Sequence, residues 1–145
     1  RVGLLHLFPD VQLERLDATT AAKRAMAERY RAGLDGVPGL TPMREARWAK
    51  STFWMYTVLV DAPRYGMDSR ALLAALAKEG VMTRPLWQPM HRSQAHAACE
   101  AVGGEVADRV HRRALCLPSS VGLRPDRQDR VIDLIVAAQV PRPGA

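Results

Sequence analysis

Between Gln12 and Leu34, Leu13, Leu16, Thr20, Ala27, Tyr30 and Leu34 recur at three- and four-residue steps. That spacing predicts one face of a long helix, ended by Gly33, Gly36 and Pro38. From Ser51 to Asp61 the pattern changes to a continuous β-branched and aromatic run, Phe53-Trp54-Met55-Tyr56-Thr57-Val58-Leu59-Val60. Such a run predicts a central strand covered on both faces. Asp68 or Ser69 can cap a following helix whose Leu72, Leu73 and Leu76 point inward and which Gly80 ends. A short strand is expected at Val81 to Arg84. Pro85 and Pro89 then argue against regular structure from Arg84 to His91, because each lacks a donor and restricts the residue before it. Helices are expected at Ser93 to Ala101 and Gly104 to Arg113, and a third strand at Leu115-Cys116-Leu117, stopped by Pro118. A last helix opens near Pro125 and buries Val131, Leu134, Ile135 and Ala138. Elements alternating in this way predict an α/β fold, a two-layer sandwich with a small sheet packed against the long helices.

Size and composition add bounds. The 145 residues are 48% apolar and 25% charged, the balance of an ordinary globular domain rather than a disordered or fibrous chain. A fold of this size removes roughly 70% of the extended chain's surface from water, enough for one core without covalent staples. The longest uncharged stretches, Ser51 to Val60 and Ala114 to Leu123, fall well short of the ~20 residues of a membrane span. No membrane partner is expected. The apolar stretch Val2 to Phe8 leads into Pro9 and Asp10 instead of a cleavage site, so no signal peptide is read; Arg1 in place of Met suggests a missing beginning. Two cysteines, Cys99 and Cys116, make no disulfide scaffold and fit a reducing cytoplasm.

The net charge of +6 comes from 18 Arg and 3 Lys against 15 acids. Arg109/Arg112/Arg113 and Arg124/Arg127/Arg130 recur at helical spacing beside Asp108, Asp126, Asp129 and Asp133, the pattern of a salt-bridged, solvated face. No aromatics interleave them, so a nucleic-acid partner is disfavoured. His91, His96, Cys99, His111 and Cys116 match no ligand spacing and no metal is expected. Ser119 and Ser120 follow a proline without the glycine-flanked elbow of a hydrolase. Gly103-Gly104 reads as a helix start rather than a phosphate loop.

One loop stands apart. Arg84-Pro85-Leu86-Trp87-Gln88-Pro89-Met90-His91 places Trp, Met, His and Arg around two prolines. Loops of that composition serve either as recognition surfaces or as packed connectors. Arg84 or His91 can meet a phosphate, and Trp87 can wall a base or sugar.

With these residues in view, the chain resembles the C-terminal domain of the DegT/DnrJ/EryC1/StrS family of pyridoxal-phosphate-dependent sugar aminotransferases. Gln12-Leu13-Glu14-Arg15-Leu16-Asp17 followed by Arg29-Tyr30-Arg31-Ala32-Gly33-Leu34 is similar to the helix entering the family's small domain. Lys50-Ser51-Thr52-Phe53-Trp54 with Val58-Leu59-Val60-Asp61 matches that domain's first strand. The loop to His91, Gly103-Gly104-Glu105-Val106-Ala107 and Leu115-Cys116-Leu117-Pro118-Ser119 resemble the bacillosamine and perosamine branch, acting on nucleotide-linked 4-keto-6-deoxy sugars. The resemblance divides the chain into a divergent segment 1–11, a small domain 12–140 and a tail 141–145 expected to fray.

For function, the resemblance implies a pyridoxal 5'-phosphate cofactor, a nucleotide-linked keto sugar and glutamate as substrates, and a homodimer or a separate large domain as partner. It carries substrate contact onto Gln88, Pro89, Met90 and His91, with Arg84 and Trp87 as neighbours. The departures are specific. Gln88 stands where the branch usually has Lys, Arg92-Ser93-Gln94 replaces Leu-Gln-Pro, and Leu4-Leu5-His6-Leu7-Phe8 replaces an Asn-Tyr-Arg element of the partner subunit's cofactor pocket. Lys23, Lys50 and Lys78 are the only lysines, the first and last expected on polar helix faces and Lys50 before a strand, so none is expected to be the Schiff-base lysine. The chain reads as part of an aminotransferase with no catalytic residue of its own; the alternatives are a non-catalytic module of the same fold and a basic nucleic-acid binder.

Overall fold

A computed structural model describes residues 13–140; the proposed segment 1–11 and tail 141–145 lie outside the described residues. Helix α1, Leu16–Leu34, buries Met26, Ala27, Tyr30 and Leu34. Leu13 and Leu16, expected on the same inward face, remain 64% and 52% exposed. The helix therefore meets the core only with its C-terminal half. Gly33 lies inside it rather than ending it. A Cβ there would come within 2.6 Å of Ile132, so the missing side chain admits the last helix.

Four strands follow: β1 Leu40–Pro42, β2 Tyr56–Val60, β3 Arg84–Pro85 and β4 Ala114–Leu117. They form one antiparallel sheet in the order β1-β2-β4-β3. Tyr56 sits opposite Leu117 and Val58 opposite Leu115, and this set joins the hydrophobic core. The alternate set, Thr57 and Leu59 of β2, is half-covered, which corrects the two-sided burial expected of that strand. The strand also begins three residues later than the apolar run, which starts at Phe53. Phe53 takes a left-handed φ of 46°, a turn that a residue with a Cβ adopts at a cost of roughly 1–2 kcal/mol, and extension cannot continue through it.

Two short helices lie between β2 and β3: α2, Ala62–Tyr65, and α3, Ser69–Lys78. Asp68 caps α3 by accepting from the amides of Arg70 and Ala71 at 2.9 and 2.8 Å. Leu72 and Leu76 are buried and Leu73 half-buried, as the spacing predicts. Pairing at the next strand starts only at Arg84 and includes Pro85, so Val81–Arg84 is not the strand expected and the loop is not wholly irregular. β3 is an edge strand, where a missing N–H is tolerated. Single 3₁₀ turns occupy Met90–Arg92 and Gln94–His96. No helix runs from Ser93 to Ala101, because Gln94 to Ala101 are all exposed and an isolated helix of that length has no burial to offset its nucleation.

Helix α4, Glu105–Arg113, buries no residue. Helix α5, Pro125–Ala137, opens on its proline and buries Gln128, Val131, Ile132 and Ile135, with Leu134 and Ala138 only partly covered. Helix α5 packs against both α1 and α3, and α1 and α3 contact the sheet. The fold is the expected two-layer α/β sandwich, closed by a stacked Tyr30–Tyr56 pair with centroids 5.0 Å apart. No helix among the described residues is long and apolar enough to cross a membrane.

Candidate functional site

The edge position of β3 carries the following loop out of the sheet. Arg84, Pro85 and Trp87 border a cleft of about 330 Å³ with Met55, Met82, Pro118 and Ser119. Trp87 is 65% exposed and packs on Trp54, itself 62% exposed, at 5.4 Å between ring centroids. The left-handed Phe53 turns the chain immediately before Trp54. Lys23 fixes the same segment from α1, donating to the Trp54 carbonyl at 3.0 Å and to the Ser119 carbonyl. Lys23 thus belongs to the scaffold of the cleft and not to a solvated helix face, and partial burial lowers its pKa.

The far end of the loop turns the other way. The side-chain amide of Gln88 donates to the Arg92 carbonyl at 2.6 Å, so Gln88 closes its own turn. His91 Nε2 lies 3.1 Å from Asp108 Oδ1, and Arg92 reaches the same carboxylate through Nε at 2.7 Å and Nη2 at 3.0 Å. His111 Nδ1 donates to the Trp87 carbonyl at 3.1 Å, since a carbonyl can only accept. Partial burial pushes the Asp108 carboxyl up, but the hydrogen bond and charge of Arg92, with His91, outweigh it and hold the group below its usual range.

The six residues expected at the site are therefore brought together by sequence but divided in space. Arg84 and Trp87 share the cleft, whereas Met90 and His91 line a separate hollow of about 250 Å³ with His96, Cys99 and Glu100. Gln88 and Pro89 line neither. Pattern reasoning missed Met55, Met82, Trp54 and Asp108 as members of this region. The arginine clusters pair as expected only in part: Arg124 bonds Asp126 at 3.0 Å within its own cluster, but the other pairs differ. Asp108 is taken by Arg92, Arg113 reaches Asp61 at 3.2 Å, and Asp129 pairs with Arg29 of α1.

Larger hollows lie elsewhere, but most of their charges are committed. In one of about 520 Å³, Arg24 pairs with Glu45, Arg31 with Glu28 and Arg44 with Asp35. In another of about 700 Å³, Arg113 pairs with Asp61, Arg92 with Asp108, and Arg70 donates to the carbonyls of His111 and Ala114. The loop and its cleft present the exposed aromatic and apolar side chains instead, which makes them the better candidate.

A Schiff-base cofactor requires a desolvated lysine with a free amine. Lys23 spends its amine on two carbonyls, and Lys50 and Lys78 are exposed. The lysines of this chain do not fit that role. Among the described residues no group of three or more His, Cys, Asp or Glu could hold a metal ion; Cys99 is exposed and Cys116 buried in β4.

Comparison with known proteins gives this geometry its context. Residues 9–136 match the DegT/DnrJ/EryC1/StrS aminotransferase family. A Bacillus subtilis (strain 168) protein named as a pyridoxal phosphate-dependent aminotransferase, EpsN, is 30% identical over 129 residues, covering 86% of this chain and 32% of its own length. GDP-perosamine synthase of Vibrio cholerae is 26% identical over 125 residues, covering 86% of this chain and 34% of its own. Among solved structures, the aminotransferase TlmJ of Streptoalloteichus hindustanus superposes with a TM-score of 0.77 at 29% identity, over 89% of this chain and 34% of that one. S. venezuelae DesV, solved with a ketimine intermediate, gives 0.79 at 26% identity, over 88% and 34%. The chain spans about a third of the length of the curated relatives it matches.

Proposed function

The chain belongs to the DegT/DnrJ/EryC1/StrS aminotransferase family, whose members use pyridoxal phosphate, and from that premise we propose that it is the small domain of a sugar-nucleotide aminotransferase. The complete enzyme moves an amino group from glutamate to the C4 ketone of a nucleotide-linked 4-keto-6-deoxy sugar, in the cytoplasm and for surface polysaccharide or glycan synthesis. The observation that carries this reading is a match running through residues 9–136 of a chain that spans about a third of its curated relatives. A GDP-perosamine synthase stands among those relatives, which supports the keto-sugar class.

In this reading the cofactor, the Schiff-base lysine and most phosphate contacts belong to another domain, and a homodimer or a separate large domain completes the site. The present chain supplies the substrate-side wall. Trp87 and the tilted Trp54 ring beside it offer an aromatic face, Arg84 a cation for phosphate, Met90 an apolar rim and His91 a polar contact; Gln88 and Pro89 shape the turn that joins them. The test is amino transfer from glutamate to a nucleotide-linked 4-keto-6-deoxyhexose by the longest translated product that carries this chain. Trp87→Ala is expected to raise the sugar KM roughly tenfold, the loss of one aromatic stacking contact, with the glutamate half-reaction unchanged. Turnover with a sugar KM unmoved by both Trp87→Ala and His91→Ala would overturn the assignment of the wall.

A second reading is a non-catalytic module that keeps the small-domain fold, favoured by the commitment or exposure of all three lysines. Absence of any transamination by that longest product, with no specific lysine adduct after pyridoxal phosphate and borohydride, would select it.

A further inference from the structure

Asp108 and His111 lie three residues apart on one face of α4, Gly104 caps its N-terminus, and all three meet the loop that precedes them. His111 holds the Trp87 carbonyl. Asp108 holds both His91 and Arg92. Gly104, with φ of 115°, lies against the His91 ring so closely that a Cβ would stand 3.0 Å from its Cε1. A helix with no buried residue thus contacts the loop by polar bonds and one glycine, and does so at both ends of the segment from Trp87 to Arg92.

We propose that Asp108 is a positioning residue that fixes the tautomer and orientation of the His91 imidazole, leaving Nδ1 as the nitrogen offered to a ligand. The inference rests on the reading of the Arg84–His91 loop as a substrate wall and deepens it. Its physical basis is the donor and acceptor inventory. Arg92 grips the carboxylate through two N–H groups at 2.7 and 3.0 Å, the bidentate geometry that favours the ionised form. An ionised carboxylate only accepts, so His91 Nε2 must donate, and the neutral ring carries its proton on Nε2. Nδ1 is then a lone-pair acceptor toward a sugar hydroxyl, or a donor to a phosphate when the ring is protonated. Arg92 orients Asp108 and Gly104 blocks displacement of the ring toward α4, so a single carboxylate decides which face of the imidazole is available. A carboxylate behind a functional histidine sets ring orientation in this manner at metal and catalytic sites generally.

The test is long-range proton–nitrogen NMR of the histidine rings in the 145-residue chain, with His91 assigned through His91→Gln. At a pH where the ring is neutral, His91 is expected as the Nε2–H tautomer with a protected ring N–H signal. Asp108→Asn should abolish that signal and give mixed tautomers, while Arg92→Gln, which leaves Asp108 in place, should retain the Nε2–H form. In a titration with a nucleotide-linked 4-keto-6-deoxyhexose, Asp108→Asn is expected to weaken binding about tenfold. An Nδ1–H tautomer in the unmodified chain would overturn the proposal, and that measurement needs no variant to fold. A ring spectrum unchanged by Asp108→Asn, with a native backbone fingerprint, would overturn it too. The ring measurement uses no substrate. Its failure therefore leaves the substrate wall standing, whereas absent binding of that keto-sugar nucleotide beside an intact Nε2–H tautomer would count against the wall and not against the Asp108 contact.

Discussion

The seam between α1 and α5 and the contact between α4 and the Trp87–Arg92 loop are held by different forces. At the seam Tyr30, Leu34, Ile132 and Ile135 are buried, and the buried Gln128 amide donates to the Met26 carbonyl at 2.7 Å. Across α4 the same role falls to one carboxylate, one imidazole and a glycine, while Trp87 and Met90 stay exposed. Burial makes a rigid scaffold, and polar clamps hold a loop without covering the side chains it presents. The exposed aromatics can therefore meet a ligand or another domain.

That contrast fails if the two regions respond alike to substitution. The largest effect belongs to the seam: Ile135→Ala, at a position with no exposure, should cost about 2–5 kcal/mol, read as a lower urea midpoint. Asp108→Asn should instead lower the midpoint far less, because the Asp108–Arg92 ion pair is partly exposed. Its expected effect is local, faster amide exchange at Arg92 and Ser93, whose N–H groups bond to Pro89 and Met90 at 3.0 Å.

Acid should separate the regions further. Arg24 and the Ser51 amide, which pin the segment before Trp54, hold the Glu45 carboxyl at about 2 against an ordinary 4.5. Arg92 and His91 hold Asp108 low as well. A carboxylate depressed in the folded state contributes stability that is complete above its unfolded pKa and is lost as pH falls through the folded value. Stability measured against pH should thus be level above about 4.5 and decline toward about 2. Glu45→Gln should flatten part of that decline, and a parent profile flat through this range would contradict the ion-pair account. The smallest effect is expected at Tyr56. Its hydroxyl is buried without a hydrogen-bond partner, so Tyr56→Phe should change stability by less than about 1 kcal/mol or raise it, whereas Tyr30→Phe loses a 2.8 Å bond to the Pro118 carbonyl.

The same contrast explains what was legible in the amino-acid sequence. Elements set by burial and local punctuation announce themselves: α3 by its Asp68 cap and leucines, β4 by its apolar run before Pro118, α5 by Pro125 and its inward face. Tertiary context decided the rest. β1 is three residues long, too short for any periodicity. The Phe53 turn hides in a run that reads as strand, and Pro85 pairs only because β3 is an edge. The loop was recognisable by composition and by resemblance, yet its division between two hollows was not, because side-chain direction depends on the clamp from α4. Asp108 looked like one more acid on a solvated face, and only the position of Arg92 gives it a different role.

The most direct test is an amide-shift titration of the chain with a nucleotide-linked 4-keto-6-deoxyhexose. The account predicts saturable shifts gathered on residues 84–91 and on Trp54, Met55 and Ser119 across the cleft. Saturable shifts confined to the hollow of Arg24, Arg31 and Arg44, with residues 84–91 unmoved, would contradict it.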